Sequence, residues 1–281
     1  MFRIGFIDYF LDEWHANNYP KWIADNSKGE MAVTHAYASI DSPLGGRTTE
    51  QWCKDFGVTR CHTIDELIAA CDGIVVLSPD NPEQHIPLCE KPLRSGKPVF
   101  IDKTFAASLA DAKAIFDYAR ESGTPCYSTS ALRYASEYEG IDRAGIRSLS
   151  SWGGGRFAGY SVHQLDPIVM LMGVPGKRVI ALKGEDCVNL LMEFADGRTV
   201  QMCCFYGDTP FAMCFAMKDH SNPAVTIQSE FFQAFIRKLI DFFHDPRPLV
   251  EHAETLEVMA IADAGNRALA NPGVWVDVPR P

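Results

Sequence analysis

The chain has 281 residues, 47% of them hydrophobic, and a formal net charge of −10. This acidic balance argues against a nucleic acid or an anionic membrane as the partner, because both need a basic protein surface. No apolar run is long enough to cross a bilayer, and the nine cysteines include no Cys-x-x-Cys pair, so we expect reduced thiols in a cytoplasmic protein.

The first half of the chain alternates short apolar strands with amphipathic helices. Strands are predicted at "FRIGFID", "VTHAYASID", "GIVVLS", "KPVFID" and "PCYSTS". Among the helices between them, "TIDELIAAC" has Thr63 and Glu66 at the spacing of a capping box, and "SLADAKAIFDYARESG" begins after Ser108 and stops at Gly123. This alternation predicts an α/β fold with a Rossmann-like, doubly wound parallel sheet that ends near Ser130.

The second half has a different pattern. Strand-like stretches follow one another at "RSLSSWGGG", "RVIALKG", "VNLLMEFADG", "TVQMCCFYG", "FAMCFAMKD" and "AVTIQS". Helices are predicted at "HQLDPIVMLMG", "EFFQAFIRKLIDFFHD" and "HAETLEVMAIADAGNRALANPG". Neighbouring strands combined with helices predict an α+β domain with a mostly antiparallel sheet. We therefore expect two domains, at residues 1–130 and 131–281.

Polar residues with chemical capability follow several strands of the predicted parallel sheet. Ligands of open α/β sheets bind beyond the carboxyl ends of the strands, so these turns are the first candidates for a site. They contain Asn81 and His85 after "GIVVLS", Lys103 after "KPVFI", and Arg133 after "PCYSTS".

The same turns resemble those of a known family, the Gfo/Idh/MocA oxidoreductases. "SPDNPEQH" is similar to the family's threonine-proline-asparagine-to-histidine turn, "SGKPVFIDKTF" to its run into glutamate-lysine-proline, and "ALRY" to its arginine-containing segment. "GYSVHQLDPIVMLMG" is similar to its second-domain helix, in which a histidine precedes an aspartate by three residues. The resemblance covers nearly the whole chain and implies hydride transfer between NAD or NADP and a sugar, cyclitol or polyol.

The resemblance implies that Lys103 is the catalytic lysine. The string Glu90-Lys91-Pro92 matches the family signature literally, but it precedes the strand that the signature should follow, so Asp102-Lys103-Thr104 is the equivalent. Thr104 stands where the family has a proline that can adopt a cis bond. Because a cis bond before any other residue costs roughly 2.5–4 kcal/mol, we expect a trans bond here. The alternative is that Lys103 is a solvated surface lysine.

His163 is the second catalytic residue that the resemblance implies. The ordinary pKa of histidine, near 6.5, suits it to moving the proton of a reacting hydroxyl. Many family members have an aspartate four residues before this histidine, whereas this chain has Gly159 there. Arg133, Tyr160 and Asp166 are the predicted substrate-binding residues. The alternative is that His163 only packs or hydrogen-bonds at the start of its helix.

The predicted cofactor-binding residues lie at the ends of the strands. Asp41 is placed to hold ribose hydroxyls, and an acid there favours NAD over NADP, although a turn-capping role is the alternative. The full set is Asp8, Tyr9, Phe10, Asp41, Ser78, Asn81, His85 and Asp102. No metal site is predicted, because no group of cysteines and histidines has ligand spacing.

The first turn, "DYFLDEWHA", departs from the glycine-rich turn of a Rossmann fingerprint. Glycines let the backbone approach a pyrophosphate, whereas this turn has bulky side chains and the acids Asp8, Asp12 and Glu13. Carboxylates at a helix N-terminus stabilise the helix and repel a diphosphate. We therefore expect weak dinucleotide binding. A redox enzyme and a relative that is non-redox or non-catalytic both remain open.

The sheet of the second domain is the predicted contact between copies. "VNLLMEF" and "TVQMCCF" are nearly continuous apolar runs, which suggests that both faces of the sheet are covered. We expect a homo-oligomer formed through that sheet, with a small sugar-like molecule as the other partner.

Overall fold

The computed structural model describes residues 1–43 and 45–280 of the chain. The described residues form two compact units. The first contains Met1–Thr129 and Gln233–His252, and the second contains Ser130–Phe232 and Ala253–Pro281. The segment Gln233–His252 thus belongs to the first unit, whereas the division drawn from the sequence places it with the second half.

The first unit contains a six-stranded, fully parallel sheet. Its strands are β1 (Phe2–Asp8), β2 (Met31–Ala38), β3 (Thr59–Arg60), β4 (Gly73–Val76), β5 (Val99–Ile101) and β6 (Cys126–Ser128). Their order is β3-β2-β1-β4-β5-β6, which is the Rossmann order. The carboxyl ends of β1, β4 and β5 therefore meet along one edge, where a ligand of such a sheet binds.

The helices of the first unit include two that begin at the capping residues predicted from the sequence. They are α1 (Trp14–Asn26), α2 (Thr49–Phe56), α3 (Ile64–Ala70), α4 (His85–Leu93), α5 (Leu109–Ser122) and α7 (Phe231–His244), the last of which enters the unit at Gln233. The capping box of Thr63 and Glu66 is formed at α3. Ser108 accepts a hydrogen bond from the Asp111 N–H at the start of α5, and Gly123 takes a left-handed conformation at its end.

An aromatic core ties the returning segment to the sheet. The ring of Phe235 on α7 lies 5.7 Å from that of Tyr19 and 5.2 Å from that of Phe100. Gly5, the one glycine of the first strand and turn, lies in the middle of β1. A Cβ atom there would stand 2.4 Å from a methyl carbon of Leu67. This glycine therefore serves the packing of α3 on the sheet and not the approach of a phosphate.

The second unit contains a seven-stranded sheet. Its strands are β7 (Ile146–Gly154), β8 (Gly176–Lys183), β9 (Cys187–Phe194), β10 (Thr199–Phe205), β11 (Ala212–Met217), β12 (Ala224–Thr226) and β13 (Val276–Asp277), in the order β12-β11-β7-β10-β9-β8-β13. Among the described strand pairings of this second sheet, only β7–β10 is parallel, and the others are antiparallel. The predicted fold class, a Rossmann-like domain with a mostly antiparallel α+β domain, is confirmed.

Helices cover one face of this second sheet. They are α6 (Phe157–Met172) and α8 (His252–Ala270), which belongs to the second unit from Ala253 onward. Along β9 the residues Val188, Leu190, Met192 and Phe194 are buried, whereas Leu191 between them is 41% exposed. Within this chain the strand therefore buries one face only. None of the described helices is long and apolar enough to span a membrane.

Candidate functional site

The first turn of the chain ends in a carboxylate that caps helix α1. Glu13 is the N-cap residue, and its carboxylate accepts hydrogen bonds from the N–H groups of His15, at 2.7 Å, and of Ala16. These are among the backbone donors that a helix leaves without internal partners at its start. Glu13 thus fills, with a group of the protein itself, the place where such a helix binds an anion.

Asp8, at the carboxyl end of β1, is buried beside Glu13. Its Oδ1 accepts the N–H of Tyr9 at 2.7 Å, and its Oδ2 accepts no hydrogen bond within the described residues. Burial raises the pKa of Asp8 well above its ordinary value, and the negative charges of Glu13 and Asp102 raise it further. Burial likewise raises the pKa of Glu13 to about 7. The cluster thus favours the protonated form of Asp8, and Glu13 is near its midpoint at neutral pH.

Asp12 has a different environment from the other two acids of the turn. Its carboxylate accepts hydrogen bonds from the Arg47 guanidinium, at 2.6 Å, from the Arg47 N–H, at 2.8 Å, and from the Asn17 amide, at 3.1 Å. Burial opposes its ionisation, but these hydrogen bonds hold the pKa of Asp12 below its ordinary value. Asp12 is therefore an ionised partner of Arg47. Of the three acids of the turn, Glu13 is the one whose carboxylate accepts the N–H groups at the start of α1.

Asp102 and Lys103 follow β5 and are both buried. The Asp102 carboxylate hydrogen-bonds to Nδ1 of His15 through Oδ2 and accepts the N–H of Lys103, at 2.8 Å, through Oδ1. The Lys103 ammonium lies 3.5 Å from the carbonyl oxygen of Pro79 and 4.0 Å from the carboxylate of Asp80. Lys103 is only 7% exposed, so it is not a solvated surface lysine.

The peptide bond between Lys103 and Thr104 is cis. The expectation of a trans bond, which rested on the cost of a cis bond before a residue other than proline, is therefore wrong.

The other predicted cofactor residues of the first unit make mostly internal contacts. Ser78 is buried and its hydroxyl donates to the carbonyl of Asn81, at 3.1 Å, within the turn after β4. His85 is fully buried between the backbone carbonyl oxygens of Leu77 and Phe105, and burial lowers its pKa. These contacts hold the turn in shape, and cofactor binding by these residues stays a prediction.

Asp41 and the aromatic residues of the first turn also have internal roles. The Asp41 carboxylate accepts the N–H of Thr49, at 2.7 Å, at the start of α2, which is the turn-capping arrangement considered as its alternative. The backbone of Tyr9 continues the pairing of β1, because its carbonyl accepts the N–H of Ile40 at 3.0 Å. The side chain of Phe10 is 9% exposed and belongs to the core.

The second unit has its own polar cluster, around the start of α6. Nδ1 of His163 hydrogen-bonds to the hydroxyl of Ser130 at 2.9 Å, and Asp166 accepts the N–H of Ser130 at 2.5 Å. Asp166 also accepts from the guanidinium of Arg133, at 2.6 Å, and Arg133 donates in addition to Glu254. The ring of Tyr160, half exposed, lies 5.5 Å from that of His163. The predicted residues of this half are thus brought together.

Sequence reasoning missed two residues of these clusters, His15 and Ser130. His15 is held by Asp102, 87 positions away, and its ring stacks on Tyr19 at 5.0 Å. A histidine at the start of a helix that follows a strand is the only local signal for it. Within residues 1–43 and 45–280, no group of three or more histidine, cysteine or acidic side chains is arranged to hold a metal ion.

Comparison with known proteins finds a family model that matches part of the chain. Residues 32–130 match GFO_IDH_MocA, the oxidoreductase family with an NAD-binding Rossmann fold, and the match begins after the first turn and α1. None of the curated proteins matches the sequence.

Solved structures share the fold over nearly the whole chain. GenD2 from gentamicin A biosynthesis, in complex with NAD, is 15% identical with a TM-score of 0.82, covering 99% of this chain and 97% of its own. Myo-inositol 2-dehydrogenase from Lactobacillus plantarum is 15% identical with a TM-score of 0.78, covering 99% of each chain. UDP-N-acetylglucosamine 3-dehydrogenase GnnA from Acidithiobacillus ferrooxidans is 14% identical with a TM-score of 0.76, covering 95% of this chain and 96% of its own. The chain thus resembles the GFO_IDH_MocA oxidoreductases over residues 32–130 and shares its fold with these solved structures.

Proposed function

We propose that this protein is an oxidoreductase acting on a hydroxyl group of a sugar, cyclitol or polyol. The observation that carries the proposal is the buried Lys103, whose backbone N–H donates to Asp102 at the carboxyl end of β5, in the segment that resembles the family's lysine signature. Solved relatives that share the fold include enzymes named for their action on myo-inositol and on UDP-N-acetylglucosamine. A small polyhydroxylated substrate is therefore the class to test first.

Lys103 and His163 are the proposed proton-handling residues. Oxidation of an alcohol removes the hydroxyl proton and a hydride from the same carbon, and in this family a nicotinamide dinucleotide supplies the hydride acceptor. The neutral amine of Lys103 takes the hydroxyl proton in the oxidation, and its ammonium returns it in the reduction. The hydrogen bond between the Ser130 hydroxyl and Nδ1 of His163 orients the imidazole, and Nε2 is the proposed site of proton exchange.

The residues of the first turn do not fit a dinucleotide as they stand. A diphosphate needs the N–H groups at the start of α1, and Glu13 already occupies those of His15 and Ala16. This observation favours a second candidate, a family relative that binds its sugar-like ligand without ordinary cofactor chemistry. On the redox proposal NAD is preferred, because the exposed Asp41 disfavours the added phosphate of NADP.

Turnover of a polyol panel tests the redox proposal. Inositols and aldoses are offered to the protein with NAD and with NADP, and reduced nicotinamide is followed by absorbance. Lys103→Ala and His163→Ala are each expected to lower turnover by about two to four powers of ten. Lys91→Ala is the matched control, since Lys91 is an exposed lysine that pairs with Asp65 and should not affect the reaction.

The double variant tests whether both residues act on the same proton. If they do, the loss in the Lys103→Ala, His163→Ala double variant is smaller than the product of the single losses, because residues that act as a unit are not additive. Full activity in either single variant removes that residue from the mechanism. Absence of turnover with every polyol and both cofactors, together with unchanged binding of a polyol, supports the second candidate.

A further inference from the structure

We propose that Glu13 is an intramolecular occupant of the diphosphate position, and that a dinucleotide binds this chain only when the Glu13 side chain leaves the N-terminus of α1. The inference concerns the cofactor on which the proposed redox function rests. It makes Glu13 the residue that determines how well this chain accepts a dinucleotide.

The first step is the geometry of the helix start. Helix α1 has thirteen residues, so the dipole of a full helix adds to its free N–H groups. Both oxygens of Glu13 are used there, one by the N–H of His15 and one by that of Ala16. A phosphate oxygen needs these same donors, so the two anions exclude each other.

The second step is the charge around the position. Asp8 and Asp102 are both buried beside Glu13: burial and the charges of Glu13 and Asp102 raise the pKa of Asp8, and burial and the charge of Asp102 raise that of Glu13. The Asp102 carboxylate hydrogen-bonds to Nδ1 of His15 and to the backbone N–H of Lys103, whereas the Lys103 ammonium lies 4.0 Å from the carboxylate of Asp80. A diphosphate would therefore add negative charge to a position that already holds the carboxyl groups of Asp8, Glu13 and Asp102.

The third step is the space at the turn. Phe10 and Leu11 are 9% and 1% exposed, so their side chains form part of the core at the point where a fingerprint has glycines. Gly5 lies three residues before the end of β1 and packs against Leu67. It therefore does not let the backbone of the turn approach a phosphate. Asp12 is not the obstacle, because Arg47 and Asn17 hold its carboxylate.

Calorimetric titration with ADP-ribose tests the inference. This ligand carries the diphosphate and lacks the nicotinamide, so its binding is independent of any reaction. Glu13→Ser keeps a side chain that caps a helix and removes the charge, and Glu13→Gln keeps the shape and removes the charge. Each is expected to bind ADP-ribose about tenfold or more tightly than the wild type, since hydrogen bonds to charged groups are worth about 1.5–3 kcal/mol.

Glu66→Gln is the matched control. Glu66 is also a carboxylate that accepts backbone N–H groups at a helix start in the same unit, those of His62 and Thr63 at α3. Its replacement removes the same charge and a comparable cap, and ADP-ribose affinity should stay at the wild-type value. An amide NMR spectrum adds a direct readout, because ADP-ribose should shift the His15 and Ala16 signals in Glu13→Ser.

Three results overturn the inference. They are submicromolar binding of ADP-ribose by the wild type, unchanged affinity in both Glu13 variants, and a gain in Glu66→Gln equal to that in Glu13→Gln. Failure of the redox function looks different, since Glu13→Ser then binds ADP-ribose tightly but reduces neither NAD nor NADP with any polyol.

Discussion

Nδ1 of His15 and Oδ2 of Asp102 form a hydrogen bond in the interior of the first unit. The other oxygen of Asp102 receives the N–H of Lys103, so one carboxylate joins the start of α1 to the turn that carries the lysine. Burial opposes the ionisation of Asp102, but the charge and hydrogen bond of His15, with Lys103 next to it, hold its pKa below the ordinary value. Asp102 is therefore an ionised group that positions two others.

Replacing Asp102 is expected to destabilise the first unit. Asp102→Asn leaves His15 without its charged partner, and breaking a buried pair costs on the order of 3–5 kcal/mol of unfolding free energy. Because the pKa of Asp102 is lowered by folding, this stabilisation is present above the ordinary aspartate pKa and is lost as pH falls from there through the lowered pKa of the folded state. Urea denaturation at neutral pH and near pH 3 measures the difference between wild type and variant, which should shrink at the lower pH.

A double-mutant cycle separates the pair from its surroundings. His15→Gln alone and Asp102→Asn alone should each be costly, and the double variant should cost less than the sum of the two. Additive losses would show that the contact between His15 and Asp102 carries no coupling energy.

Local patterns predict much of this fold correctly. The capping box of Thr63 and Glu66 and the glycine that ends α5 depend on residues within one turn of each other, so the sequence contains the whole signal. The strand that the sequence predicts before Lys103 is β5, and Lys91 of the literal signature lies on α4 before that strand.

Contacts between distant residues are not visible in such patterns. The acids of the first turn look alike in sequence, yet Arg47, 35 positions away, binds Asp12 and leaves Glu13 to cap α1. The two-residue strand β3 is too short to show a period, and the return of Gln233–His252 to the first unit depends on aromatic contacts with the sheet. These features depend on the folded chain as a whole.

The stability of the first unit should fall as pH rises toward neutrality because of Glu13. Folding raises the pKa of Glu13, through burial, from 4.5 to about 7, so its favourable contribution is complete below 4.5 and is lost as pH rises through 7. The shift corresponds to about 3 kcal/mol. Denaturation curves from pH 5 to pH 8 should show this loss in the wild type and a flatter dependence in Glu13→Gln. Equal slopes in the two proteins would contradict the assignment.

The pair of Arg133 and Asp166 should be essential for folding of the second unit. The guanidinium and carboxylate side chains are 9% and 6% exposed, so neither charge is solvated once its partner is lost. Arg133→Met is expected to cost on the order of 3–5 kcal/mol, and Arg133→Met with Asp166→Leu less than Arg133→Met alone. Thermal unfolding measures both. A small effect of Arg133→Met, with weaker binding of a polyol, would instead support the substrate-binding role that the sequence predicts.

The last prediction concerns association of the chain through its second sheet. On the face opposite the helices, Ile180, Leu191 and Gln201 form one row across β8, β9 and β10, and Leu191 is 41% exposed. We expect a homo-oligomer that covers this row, because contact with a second copy would remove the exposed apolar side chain of Leu191 from water. Leu191→Lys places a charge in that contact and should lower the mass measured by light scattering at micromolar concentration. Leu249→Lys is the control, since Leu249 is similarly exposed, at 40%, and belongs to the first unit. A monomeric wild type, or equal dissociation in both variants, would contradict an interface at this face.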